Sequence, residues 1–209
     1  LSSANNTVIT RWTNLLTGHY ETVNAQSLPE LKQLYVNKRF DAILLHRMLI
    51  DVAAFSALRN TAPAARFFLL SDRPDEEDAL LFLKLGIVGY GNTYISSPRL
   101  LEALRIIING GVWLGQKVIQ RLITDVSGNT RRNDQENKNE PSELEMAKLT
   151  KSQRKIAELV ARGQSNLEIA ADLKITERTV KAHLTSIYEK TKTGNRLNLA
   201  LLINLGKKP

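Results

Sequence analysis

The 209-residue sequence contains no cysteine. That excludes disulfides and thiolate metal sites and suits a reducing compartment, so a cytoplasmic location is expected. No apolar run approaches the roughly eighteen residues that a membrane-spanning helix needs, and no membrane partner is expected. The opening Leu1-Ser2-Ser3-Ala4-Asn5-Asn6 lacks the basic-then-apolar order of a signal peptide. It also lacks an initiator Met, which is compatible with a start inside a longer protein. The histidines His19, His46 and His183 fall at no metal-ligand spacing, so no metal is expected. Gly86-x-x-Gly89-x-Gly91 is a lone glycine cluster, better explained by tight turns than by a nucleotide cradle. With no catalytic constellation in view, neither an enzyme nor a cofactor is expected.

What is present begins with a hydrophobic fraction of 43%, enough for a globular core. The charge is unevenly spread. Residues 1–124 hold 13 basic and 10 acidic side chains, residues 125–147 hold 3 and 6, and residues 148–209 hold 13 and 5. The last segment alone therefore carries an excess of +8, equal to that of the whole chain. A concentrated basic domain is the electrostatic footprint of a polyanion partner, although a solvated basic surface would give the same number.

The stretch 125–147, with Ser127-Gly128-Asn129-Thr130 and the polar run to Pro141, has too few apolar residues to offset its ordering entropy. It predicts a flexible linker between a domain over 1–124 and another over 148–209. In the first domain strand and helix signals alternate. Tyr20–Val23, Asp41–Leu45, Arg66–Leu70 and Gly86–Tyr90 are strand-like. Ser27 with Glu30 makes a capping box, with Pro29 in the first turn. Asp75–Leu85 is amphipathic and stopped by Gly86, and Ser97-Pro98 opens a helix with Leu100, Leu104 and Ile107 on one face. This alternation predicts an α/β, flavodoxin-like, doubly wound parallel sheet. Such a sheet needs a central first strand, for which only Leu1-Ser2-Ser3 is available. Either that strand lies upstream of Leu1 or the sheet is incomplete.

The last domain is predicted to be small and all-α. Thr150-x-x-Gln153 and Ser165-x-x-Glu168 are capping boxes that each open a helix. The first helix buries Ile156, Leu159 and Val160 and ends near Gly163; the second runs from about Asn166 to Leu173. A third follows Thr176 with Val180, Leu184, Ile187 and Tyr188 inward, and a leucine-rich fourth spans about Asn195 to Asn204. The short step between helices two and three is a helix-turn-helix layout. On the outer face of the third helix, Lys181 can donate to guanine O6 and N7, Ala182 can touch a thymine methyl, and Thr185 lies one turn from Lys181. Ser165, Asn166 and Thr179 can bond phosphate oxygens at helix starts, while Lys174, Arg178, Lys190 and Arg196 supply backbone attraction. His183 is expected to pack or to contact phosphate. Each lone cation has a solvated helix face as its plainer explanation, so it is the whole pattern that predicts double-stranded DNA as partner.

With these residues in order, 148–209 resembles the DNA-binding domain of LuxR/NarL-type transcription regulators. The match runs through Leu149-Thr150, Gly163, Ser165-Asn166-x-Glu168-Ile169-Ala170, Thr179-Val180-Lys181-x-His183 and Asn195-Arg196. Gln153 stands where the family usually has Glu, which puts a local salt bridge in doubt. The resemblance implies recognition by the third helix and a homodimer formed through the fourth, with Leu197, Leu199, Ala200 and Leu202 as contact residues unless they close the domain core. RNA polymerase is the further partner such a regulator would meet.

Residues 1–124 resemble the receiver domain of NarL-type response regulators, chiefly through Gly89-Tyr90, Ala103-Leu104 and Gly110-Gly111-Val112-Trp113. The resemblance implies an Asp phosphoacceptor after the third strand, where His46 stands. The family's Lys falls on Thr93, its acidic Mg²⁺ pair near Ser3 and Ala4, and its switch hydroxyl on Ser71. Asp51 and Asp72 are nearby acids placed off the strand end. The expectation is an atypical receiver that does not use aspartyl phosphate. Some relatives bind cyclic di-GMP through a Trp-containing motif. Trp113 could stack on a base, but Gly115 and Gln116 lack the hydroxyl and guanidinium the motif uses. A packing role for Trp113 is the plainer expectation. The alternatives in view are thus a cyclic di-GMP-responsive regulator, a sigma-factor-like promoter reader with an all-helical N-terminal domain, and an interaction or phosphotransfer module with a vestigial DNA domain.

Overall fold

The computed structural model describes residues 1–129 and 147–205. The chain divides into two compact units, Leu1–Gly115 and Gln116–Pro209.

In the first unit, strands β1 (Ile43–His46), β2 (Phe67–Ser71) and β3 (Gly89–Asn92) form a parallel sheet in the order β1-β2-β3. Ile43 pairs with Phe67, and Phe68 with Gly89. All of β1 and β2 is buried, because helices cover both faces and the usual apolar–polar alternation has no solvent side to serve. Alternate side chains divide between the two faces. Phe68 and Leu70 join Trp12 and Leu16 of α1 (Asn6–Leu16) and Leu100, Leu104 and Ile107 of α5 (Ser97–Ile108). Phe67 meets Phe55 of α3 (Val52–Thr61) edge-on at 5.2 Å, and Phe55 meets Phe82 of α4 (Glu76–Lys84) at 5.4 Å.

The first-strand position is taken by Leu1–Ser3, which makes isolated bridges rather than a regular strand. Ser2 bridges in parallel to both Ala25 and Leu45, through Ser2 N–H to Leu44 O at 2.8 Å, His46 N–H to Ser2 O at 2.8 Å and Ser3 N–H to Ala25 O at 3.1 Å. The lateral order Ala25, Ser2, β1, β2, β3 is the flavodoxin-like order, its first two positions held by isolated bridges beside the three-stranded sheet. Three expected elements shift. Tyr20–Val23 is not a strand: Tyr20 N–H closes the end of α1 on Leu16 O, and the extended residues pairing with the chain start are Val23 and Ala25. β3 begins at Gly89 rather than Gly86, because Gly86 takes a left-handed turn (φ +99°) after α4. Of the glycine cluster only Gly86 serves a turn. Gly89 and Gly91 lie in β3, where a Cβ would meet Phe68 Cδ2 at 2.7 Å and Trp113 Cζ3 at 3.0 Å respectively. The capping box of α2 (Leu28–Asn37) is also half made: Ser27 accepts from Glu30 N–H, but the Glu30 carboxylate accepts from Gln26 N–H at 2.7 Å.

The second unit opens with α6 (Gln116–Asn129), which runs through Asp125–Asn129, residues that composition assigned to the linker. Extending a helix already anchored by the buried Val118 is cheaper than starting one, so polar residues are carried along. The rest of the expected linker, 130–146, lies outside the described residues. Then come α7 (Lys151–Ala161), α8 (Asn166–Leu173), α9 (Glu177–Thr191) and α10 (Arg196–Leu205). Both expected capping boxes are complete, at Thr150/Gln153 and Ser165/Glu168. Ile156, Val160, Ile169, Val180, Leu184 and Ile187 share one core with Leu199 and Ile203 of α10. An all-helical N-terminal unit, which the sigma-factor-like alternative requires, is not what this chain has.

Candidate nucleic-acid interface

Helices α8 and α9 are joined by the three residues Lys174–Thr176, and Lys174 ends α8 in a left-handed conformation (φ 53°). Its N–H and that of Ile175 return to carbonyls of α8, which turns the chain at once into the next cap. Thr176 caps α9, its Oγ1 accepting from Thr179 N–H at 3.1 Å. The two threonine hydroxyls also bond each other at 2.8 Å. The 3.6-residue period then sorts α9. Val180, Leu184 and Ile187 are buried, Arg178 and Ala182 are exposed, and Lys181, His183 and Thr185 are half-exposed. Ser165 and Lys174, on the preceding helix and turn, are exposed as well.

Within that face the structure adds detail. Thr185 Oγ1 donates back to Lys181 O at 3.1 Å. Lys181 Nζ lies 2.9 Å from Glu177 Oε1, one turn earlier. Glu177 had no place in the sequence-based site, although an i, i+4 Glu–Lys spacing was the available signal. Glu168 Oε2 accepts from Ser165 N–H at 2.7 Å, and this hydrogen bond, with one to the Ser165 hydroxyl, holds its carboxyl below the usual range.

Three residues expected on the phosphate side are engaged inside the domain. Asn166 is buried, and its Oδ1 accepts from Arg196 Nη1 at 3.3 Å. Arg196 also donates through Nη2 to Gln164 O, tying the start of α10 to the approach to α8. Burial pushes its guanidinium pKa down, against the opposing pull of Tyr188 and Glu168. Lys190 Nζ donates to Gln153 Oε1 at 2.8 Å. Gln153 is buried, caps α7 by accepting from Thr150 N–H at 3.1 Å, and donates to Ser186 Oγ at 3.1 Å. The salt bridge in doubt is thus replaced by an ion–dipole contact with a neutral amide. Among the fourth-helix residues, Leu199 is buried in the domain core and cannot face a second copy, whereas Leu197, Ala200 and Leu202 are half-buried.

At the receiver-like strand ends the polar side chains bond one another. His46 is buried at the end of β1, with Nδ1 2.9 Å from Ser3 Oγ and Nε2 3.1 Å from Asp72 Oδ1. An ionised Asp72 only accepts, so Nε2 carries hydrogen; in the neutral ring Nδ1 then accepts from the Ser3 hydroxyl. Ser3 Oγ in turn accepts from Asn5 N–H at 3.0 Å. Burial alone would raise the Asp72 carboxyl pKa, but the nearby Thr93 side chain and the His46 ring outweigh it and hold it low. Asp72, expected to stand apart from the strand end, is therefore a member of this cluster. Asp51 instead caps α3, accepting from Ala54 N–H at 2.7 Å. Ser71 and Thr93 are buried beside the cluster at the ends of β2 and β3. Trp113 packs edge-on against Phe68 at 5.5 Å and pairs its backbone with Val88 and Tyr90, so its indole covers the sheet edge.

A receiver-type α/β unit carried in one chain with a capped helix-turn-helix unit defines a class, the response-regulator type of transcription regulator. Residues 147–203 match the family described as bacterial regulatory proteins, luxR family, and this part of the chain belongs to it. A curated relative, the glycerol metabolism activator of Pseudomonas putida, is 35% identical over 146 residues, covering 69% of this chain and 63% of its own length. The chain thus spans less than two thirds of that relative. The RcsB response regulator of Salmonella typhimurium has the same fold, with a TM-score of 0.53 at 14% identity over 97% of this chain and 96% of its own. A structure of an RcsB–DNA complex superposes with a TM-score of 0.52, 14% identity and coverage of 97% and 95%.

Proposed function

We propose that the chain is a transcription regulator that binds double-stranded DNA as a homodimer, inserting α9 into the major groove at half-sites about one helical turn apart. The observation that carries this reading is the sorting of α9: one face anchors the core, and the other presents Arg178, Lys181, Ala182 and Thr185. The +8 excess over 148–209 supplies the long-range attraction. The residues between about 125 and 147 serve as the tether, the protein works in the cytoplasm where its DNA is, and RNA polymerase is its further contact. RcsB, which shares the fold, has been solved on DNA, which agrees with this reading.

The α/β unit acts as a control module without aspartyl phosphate. An imidazole cannot form an acyl phosphate, and both ring nitrogens of His46 are already occupied. The positions that would hold Mg²⁺ and neutralise the phosphoryl group carry Ser3, Ala4 and Thr93.

Footprinting on genomic fragments tests the DNA reading. Protection of a defined site with a steep salt dependence is expected, and Lys181→Ala weakens specific binding by about 1–3 kcal/mol. Unchanged affinity in that variant removes Lys181 from the interface, and absence of any protected site sinks the function. Incubation with a radiolabelled small phosphodonor tests the control reading; stable incorporation into residues 1–124 overturns it.

A further inference from the structure

Resting on the DNA-binding reading above, we propose that Glu177 is a specificity-determining positioning residue, which restrains Lys181 so that it reads a base edge in preference to any phosphate. Glu177 is the first residue of α9 after the Thr176 cap, at the end of a recognition helix that reaches base edges first. Its Oε1 lies 2.9 Å from Lys181 Nζ, and the two side chains are 39% and 32% exposed, so the pair lies on the presented face. Arg178 and Ala182 are exposed on that same face.

The physical consequence follows from competition. A lone lysine is a flexible point charge that any phosphate oxygen satisfies, and each such contact adds affinity without information. Lys181 already has a carboxylate partner, so exchanging it for a single phosphate oxygen gains little. The guanine edge offers two acceptors, O6 and N7, and an ammonium can donate to these while a third N–H stays on Glu177. The carboxylate also repels phosphates directly, which lowers binding to every sequence alike. Glu177 thereby gives up general affinity and gains discrimination at the base pair under Lys181. The cap does not need it: Thr176 and Thr179 complete that turn themselves.

The test uses the full chain with Glu177→Gln and Glu177→Asp, selection from randomised duplexes, and salt titration on random DNA. Glu177→Gln is expected to tighten binding to random DNA and to steepen the log K against log salt slope by about one, as one more cation becomes available to phosphate. The preference for guanine at the position that Lys181→Ala also relaxes should fall by roughly five- to a hundredfold, the range of one base contact. Glu177→Asp keeps the carboxylate and should restore most of that preference. A steeper slope with the base preference intact overturns the proposal, leaving only a general charge effect. An unchanged slope and preference overturns it too, as does an aspartate variant no better than glutamine. Failure of the unsubstituted chain to select any sequence is a different result, which defeats the DNA reading itself.

Discussion

The two candidate sites treat their polar side chains in different ways. At the strand ends of the α/β unit they bond one another: Ser3, His46 and Asp72 form one line, and Arg47, Asp78 and Tyr90 another, with Arg47 Nε 3.0 Å from Asp78 and Tyr90 Oη donating to Asp78 at 2.9 Å. Burial and the neighbouring Asp78 carboxylate raise the Tyr90 phenol pKa, while the Asp75 amide and Ser71 lower it, leaving a net rise. The helical unit also buries Gln153 and Asn166, but at its candidate interface Arg178, Lys174 and Lys181 reach solvent or a surface partner. The line Ser3, His46, Asp72 resists a ligand because its groups already have hydrogen bonds, although the Ser2 and Thr93 hydroxyls are buried without one. An exposed cationic face invites a ligand. The pocket that would accept phosphate in a receiver has gone the first way, and the helix that would meet DNA has gone the second.

The largest effect that would sharpen this contrast is in the first core. Phe68→Ala removes a fully buried ring from between α1, α5 and Trp113, and about 3–5 kcal/mol of stability should go with it. Trp12 and Trp113, the two tryptophans of the sequence, both lie in this unit, so urea unfolding followed by fluorescence reports it alone. A midpoint unmoved by the substitution would break the assignment of that core.

Next comes Arg196, a cation that, like Lys190, is engaged inside its own unit. Arg196→Ala leaves the Gln164 carbonyl and Asn166 amide without this donor and should cost the helical unit about 1–3 kcal/mol in a thermal melt followed by circular dichroism. If instead the melt is unchanged and only DNA affinity falls, Arg196 belongs with the outward cations and the contrast weakens.

The smallest effect is on acid stability. The Asp72 carboxyl is held below its ordinary value of 3.8, so its ionised form stabilises the fold above that pH, and the contribution is lost as pH falls through the lower folded value. Asp72→Asn should therefore flatten the decline of the first unit's stability on the acid side of pH 4, read by the same fluorescence. An acid limb of unchanged steepness would remove Asp72 from the network.

How much could be seen in advance depended on whether the cause was local. Both capping boxes, the turn at Lys174–Thr176 and the apolar face of α9 are set by residues within four positions of each other, and they appear where the spacing puts them. The short apolar runs of β1 and β2 were visible for the same reason. What escaped was made by distant partners. Three residues, Leu1–Ser3, carry no periodicity, and only pairing with Ala25 and Leu45 sets them in the first-strand position. The β-prone Tyr20–Val23 was overridden by the end of α1. Nothing near Arg196 or Lys190 announces Asn166 or Gln153 as their partners, thirty or more residues away. In the site, the face of α9 was legible, while the inward fate of Asn166, Lys190, Arg196 and Leu199 was not.

The left-handed lysines at the ends of α8 and α9 carry one more consequence. Lys174 and Lys192 have φ of 53° and 55°, a region that costs an L-residue about 1 kcal/mol which glycine escapes. Each helix is therefore terminated by a residue under backbone tension that also places an ammonium beside the negative pole of the helix it ends. Relaxing either corner with glycine would gain conformational ease and lose a fixed positive charge, so the shape of the turn and the field around it are set by the same two side chains.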